Sequence, residues 1–246
     1  MNFKQTRNVS LILVFGLLAP MLDTTMTNIA ISDIGRDLHT TLSSVQWIIT
    51  AYVLATSIAV PFSGWLTQHF NGKYVFLVAQ LFFGLSSIGA ALSHDINALI
   101  IYRVVQGFAA GLIIPLVTTM LVSVAPREYL QKLMMVVMLP IIVGPIFGPV
   151  IGAFVVEYGN WQWIFWINVP IMLLAAALNY WKVPDIPATN RAAKIDAIGI
   201  ALLGLGSAAI IYGLSQAGEK ATFNNADTWT YVGLGLLAVV IYLFWG

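Results

Sequence analysis

Eight long stretches almost free of Asp, Glu, Lys and Arg constrain this chain more than any other feature. They cover residues 8–32, 40–68, 74–93, 96–126, 133–156, 158–181, 197–218 and 228–246. Asp23 alone interrupts the first and Arg103 alone the fourth. A bilayer core about 30 Å thick takes around 20 apolar residues per helical crossing, which is the order of every run. Unpaired backbone groups are not tolerated in lipid, so each crossing is expected to be an α-helix. A β-barrel would show alternating segments of about ten residues, and these runs are continuous. The sequence therefore predicts an all-α polytopic membrane protein of eight spans.

Composition agrees. Only 9% of the residues are charged, against roughly 25% in soluble domains. Eleven basic and ten acidic side chains cannot coat a water-facing globule of this size. A soluble enzyme, a disordered chain and a nucleic-acid binder are excluded. With no cysteine there is no disulfide, thiolate metal site or cysteine nucleophile. No phosphate-binding G-x-x-x-x-G-K-[ST] loop is present, and no cofactor is expected. His39, His69 and His94 fall in three separate loops, so they read as solvated side chains rather than metal ligands. Tryptophans such as Trp161, Trp163, Trp181 and Trp229 lie near span ends and read as interfacial anchors. Met134, Met135 and Met138 read as helix packing.

The loops set the orientation. With the N-terminus inside, Lys4, Arg7, Lys73, Arg127, Lys132, Lys182, Arg191 and Lys194 are cytoplasmic, and only Arg36 and Lys220 are external. That bias predicts a cytoplasmic N-terminus. Lys4 and Arg7 precede an apolar run too long for a signal peptide, so it reads as an uncleaved first span. Residues 183–196, with Pro184 and Pro187, form the one plausible linker. It divides a six-span bundle, residues 1–182, from two further spans, residues 197–246. The last run reaches Gly246 with no flanking charge, and the expectation is a fragment of something longer.

Charges inside a membrane are costly and mark function by default. At 1.5 Å per residue, Asp23 lies about 21 Å from the cytoplasmic face and Arg103 roughly 10 Å below the external face. Both fall in the outer half, close enough in depth to meet. A structural ion pair and a protonatable carboxylate on a transport path both fit. Around Asp23, Thr24, Thr27 and Asn28 continue a polar stripe by the i, i+4 relation. Around Arg103, Gln106 shares its surroundings with Gly107, Ala109, Ala110 and Gly111, small residues that allow close helix approach. The fifth span places Gly144, Gly148 and Gly152 four apart, with Pro145 and Pro149 between them. That makes a flat, kinked helix interface.

These segments, in this order, resemble signature motifs of the major facilitator superfamily, and within it the fourteen-span drug:proton antiporters of the EmrB/QacA-like group. Leu22-Asp23-x-Thr25-x-x-Asn28-x-Ala30 is similar to the first-span motif, with Ser32 where proline is usual. Arg103-x-x-Gln106-Gly107 resembles the fourth-span motif, whose arginine is associated with proton coupling. Gly144-x-x-x-Gly148-Pro149-x-x-Gly152 resembles the fifth-span antiporter motif, with Ala153 in place of a last glycine. Trp161-x-Trp163-Ile164-Phe165-x-Ile167-Asn168-x-Pro170 resembles the entry to span six. The loop between spans two and three departs from the family. Gly64 and Lys73 survive, but Gln68 stands at the acidic position and two basic positions are lost, so the charge gate of that loop is degenerate.

The resemblance implies proton-coupled efflux of small lipophilic or cationic compounds across a cell membrane, in a bacterial setting. Asp23, Thr25, Asn28, Arg103 and Gln106 would line the proton or substrate path. Gly144, Gly148, Pro149 and Gly152 would form the moving interface. Partners would be a small-molecule substrate, protons and the bilayer, with no nucleic acid. A missing C-terminal half or a second copy of the chain would complete the site. The alternatives are a truncated or accessory membrane protein without transport, or a metabolite carrier of the same superfamily.

Overall fold

The structure, a computed structural model, describes residues 3–192, 194–220 and 222–245. Gly246, on which the expectation of an abrupt ending rests, lies outside the described residues. Eight helices follow one another: α1 (Phe3–Asp37), α2 (Leu42–His69), α3 (Gly72–Ala91), α4 (Ile96–Val124), α5 (Arg127–Tyr158), α6 (Gln162–Lys182), α7 (Ala197–Glu219) and α8 (Ala226–Trp245). Each is long and apolar enough to cross a membrane, and no strand occurs among the described residues. The chain is a multi-pass membrane protein. Short polar residues break the apolar runs and cap the next helix. Thr41 accepts from Ser44 N, Asn71 from Lys73 N, Asp95 from Asn97 N and Ala98 N, and Asp196 from Gly199 N.

Packing among the first six helices follows a two-fold pattern. α1 lies along α5 and α2 along α4, α3 touches α4 and α6, and α6 touches α1. Exchanging α1–α3 with α4–α6 maps this set of pairs onto itself, the mark of nested three-helix repeats. The close crossings depend on glycine. A methyl at Gly107 or Gly111 would overlap backbone of α2 at Tyr52 or Thr56. α7 and α8 form a hairpin whose Gly206, Gly213 and Gly235 admit the facing backbone, and α7 lies against α2. There Thr50 and Ser215 share a hydrogen bond of 3.2 Å.

The core is split in two. One apolar cluster gathers Leu13, Leu17, Tyr52, Phe76, Phe83, Ile113, Leu116 and Met172. The other gathers Met26, Ile34, Ile48, Ala90, Leu99 and Phe165. Along each of α1, α3, α4 and α6 the chain passes from one cluster to the other through a buried polar position or pair: Asp23, Ser86 with Ser87, Arg103 with Gln106, and Asn168. A polar layer therefore lies between two apolar ones.

Candidate functional site

That layer is built by four helices. Asp23 on α1, Ser87 on α3, Arg103 and Gln106 on α4, and Asn168 on α6 are all fully buried. Arg103 Nη1 lies 2.5 Å from Asp23 Oδ2 and 2.7 Å from Gln106 Oε1. Arg103 Nε donates to the Ile48 carbonyl at 3.3 Å. The other carboxylate oxygen, Asp23 Oδ1, receives Asn168 Nδ2 at 2.7 Å and Gln106 Nε2 at 3.2 Å. Gln106 Nε2 also reaches Ser87 Oγ at 2.7 Å. The guanidinium stacks 4.1 Å over the Tyr52 ring, with the Phe165 ring at 5.7 Å.

Two opposite charges without water cost several kcal/mol each to desolvate, and direct contact offsets that only when the remaining donors and acceptors are also satisfied. Here Gln106 bridges both ions, and Asn168 takes the second carboxylate oxygen. Such a network can hold one ionised carboxylate out of reach of solvent. It can also respond when that carboxylate gains a proton, because each contact to Asp23 is a donor that suits the ionised form.

The sequence-predicted residues divide into three groups. Asp23, Arg103 and Gln106 meet in the polar layer. Thr25 does not join them: its hydroxyl turns to α5, 3.3 Å from the Gly144 carbonyl, and also bonds Leu22 O. Asn28 is exposed and donates to the Thr24 carbonyl at 3.0 Å, while Thr27 on the Asp23 side is buried. Gly144, Gly148 and Gly152 face Met21, Thr25 and Met26 of α1, and a side chain at Gly148 would overlap Thr25. Pro149 lies within α5, beside Pro140 and Pro145.

Gly64, Gln68 and Lys73 lie at the far end of the bundle, away from the polar layer. Open space surrounds Gly64. Gln68 O accepts from Asn190 N at 3.0 Å, Gly72 N donates to Ile186 O at 2.9 Å, and Lys73 Nζ lies 3.7 Å from Asp185. The α2–α3 turn and the linker thus form one clasp. His69 sits in it, stacked on Trp65 at 5.1 Å and only part-exposed, unlike the solvated side chain expected. Among the described residues no group of His, Cys, Asp or Glu is placed to hold a metal ion.

Ser87, Asn168 and Tyr52 belong to the site although sequence reasoning did not assign them to it. Asn168 stood inside a quoted motif; Ser87 and Tyr52 had no signal beyond being polar groups in apolar runs.

Two packed three-helix repeats around a buried carboxylate–guanidinium pair are an arrangement of the kind found in membrane transporters built from internal repeats. The family model of the Major Facilitator Superfamily matches residues 13–246, and the chain belongs to that family. Its relatives there are transporters rather than enzymes. It is 32% identical over 236 residues, 95% of its length, to MdtD of Salmonella newport, named as a candidate multidrug resistance protein. That match covers 49% of MdtD, so the chain spans about half the length of the curated relatives it matches. Two solved structures share the fold. A peptide transporter POT in complex with sulfate has a TM-score of 0.70 and 15% identity, covering 99% of this chain and 53% of that one. A double-tryptophan mutant of XylE has a TM-score of 0.69 and 18% identity, covering 89% and 55%.

Proposed function

We propose that this chain is part of a proton-coupled exporter of small lipophilic or cationic compounds, with its N-terminus on the cytoplasmic side of a cell membrane. The observation that carries the reading is the Asp23–Arg103 pair, fully buried at 2.5 Å within a layer of amide and hydroxyl groups from four helices. Asp23 is the group that takes and releases the proton, and Arg103 is its counter-ion. When Asp23 is protonated Arg103 keeps its bonds to Gln106 and the Ile48 carbonyl but loses its counter-charge, and the network that ties α1 to α4 must rearrange. That rearrangement is the coupling step. The multidrug name of the relatives supports the substrate class, and the excess of Lys and Arg in alternate loops supports the orientation. The proposed exporter works with a second bundle, because alternating access rocks two bundles about a central site. That bundle comes from further chain or from a second copy.

Asp23→Asn keeps the size and removes the titration. In inverted vesicles from cells making the exporter, it should abolish drug-dependent proton release while leaving the protein in the membrane. Wild-type proton and drug fluxes from Asp23→Asn vesicles would falsify the reading.

A further inference from the structure

The donors around Asp23 leave a question about its protonated form. Arg103 Nη1, Gln106 Nε2 and Asn168 Nδ2 all point hydrogens at the carboxylate. A neutral carboxyl group must itself donate from one oxygen, so it needs an acceptor. The neighbours are mostly committed. Gln106 Oε1 accepts from Arg103, Ser87 Oγ accepts from Gln106, and the Thr27 hydroxyl donates to the Asp23 backbone carbonyl. Asn168 Oδ1 is the exception: it is buried and has no hydrogen-bond partner. It also belongs to the amide whose Nδ2 lies 2.7 Å from Asp23 Oδ1.

We infer that Asn168 is a two-position partner of Asp23, donating to the carboxylate and accepting from the acid. The torsion that carries a terminal amide is broad and two-fold. A half-turn exchanges oxygen and nitrogen in nearly the same volume, so the switch needs no helix movement of its own. In the first position Nδ2 also lies 3.5 Å from Ser87 Oγ on α3. In the second Oδ1 takes that place and the Ser87 hydroxyl must turn to donate to it, so protonation on α1 changes the hydrogen bonding of α6 and α3 as well as of α4. Asn168 is a positioning residue here, acting through Asp23. The titratable or charged groups that face Asp23 are Arg103 from α4 and Tyr52 from α2. Among the described residues α3, α5 and α6 carry such groups only near their ends. The inference rests on the reading of Asp23 as the proton carrier, but its test does not depend on transport.

Infrared difference spectra of the 246-residue chain in lipid bilayers, recorded on stepwise acidification, read the carboxyl group directly. The acid C=O band that Asp23→Asn removes belongs to Asp23. In Asn168→Leu, similar in volume but with no acceptor, that band should move to higher wavenumber, as for an acid whose O–H is unbonded. In unsubstituted protein with 15N-labelled asparagine side chains, one amide signal should change together with the acid band. It should be silent in Asp23→Asn. An acid band unmoved in Asn168→Leu, or an acid band with no accompanying amide signal, would overturn the role of Asn168 alone. No acid band from Asp23 at any pH at which the protein stays folded would defeat both this inference and the proton-carrier reading.

Discussion

The Thr56 hydroxyl donates to the Gly107 carbonyl at 3.0 Å across the α2–α4 crossing. The related α1–α5 crossing repeats the arrangement, with Thr25 donating to the Gly144 carbonyl at 3.3 Å. In both, a missing side chain lets the backbones approach, and a threonine then bonds the exposed carbonyl of the glycine helix. Lipid tails are as apolar as the helix surfaces, so this close packing, more than hydrophobic burial, holds the bundle together. The same helices carry Asp23, Tyr52 and Arg103, so the crossings also set the positions of the charged pair and its ring.

Alanine substitutions should therefore rank by what the new methyl meets. At Gly107 it meets the Tyr52 backbone, which only a helix shift can relieve. At Gly148 it meets the Thr25 hydroxyl, which can turn at the cost of its bond to Gly144, and the Thr25 Cβ, which yields only to a smaller helix shift. At Gly64 it meets open space. Overpacking costs about 1–3 kcal/mol. We expect Gly107→Ala at the upper end of that range, Gly148→Ala lower, and Gly64→Ala near zero, measured by denaturant unfolding in micelles. Equal stability for all three would contradict the tight crossings.

The charged pair should show the asymmetry of buried ions. Removing one partner leaves the other uncompensated and costs roughly 3–5 kcal/mol, whereas replacing both with apolar residues is near neutral. Arg103→Leu alone should destabilise strongly, and Asp23→Leu with Arg103→Leu should recover most of the loss. Arg103→Lys should also impair transport in the proposed exporter, because an ammonium cannot reach Asp23, Gln106 and the Ile48 carbonyl while stacking on Tyr52. A double variant no more stable than the single one would sink the argument.

The sequence carried the gross architecture because the bilayer imposes a single length and a single polarity on each crossing. All eight charge-free runs are helices. The two intramembrane charges were legible as a pair from depth alone, since each is about the same distance from one face. Rotation about the helix axis was harder to read. Thr27 lies only about 40° around the helix from Asp23 and is buried with it, whereas Asn28 lies about 140° away and is exposed. The i, i+4 stripe did not separate the two. Ser87 and Asn168 were illegible for another reason: one small polar residue in an apolar run looks the same whether it bonds its own helix or a distant carboxylate. Ser86, next in the chain, bonds its own helix at Phe83 O.

Orientation can be checked at exposed end positions, since the chain has no native cysteine. Thr189, in the linker, and His94 and Asn224, in loops at the opposite end, are all exposed. Thr189→Cys should react with an impermeant maleimide only after permeabilisation. His94→Cys and Asn224→Cys should react in intact cells. The reverse pattern would invert the topology and place Asp23 nearer the cytoplasmic face.

The clasp at the linker end depends on one side chain more than on its charges. Asn71 Oδ1 accepts from Lys73 N at 3.0 Å, capping α3, and from Ile186 N at 3.3 Å, holding the linker. Ile186 in turn accepts from Gly72 N and is nearly buried. The Lys73–Asp185 pair is long at 3.7 Å and the aspartate is two-thirds exposed, so it adds little. Loss of an N-cap alone costs about 1 kcal/mol, and Asn71→Ala also frees the linker backbone. We expect Asn71→Ala to make residues 183–190 markedly more sensitive to protease, Asp185→Ala to leave them nearly unchanged, and Asn71→Asp, which keeps the acceptor, to restore protection. If Asp185→Ala opened the linker as much as Asn71→Ala, the clasp would be electrostatic. The α2–α3 turn would then still work through charge despite the glutamine at position 68.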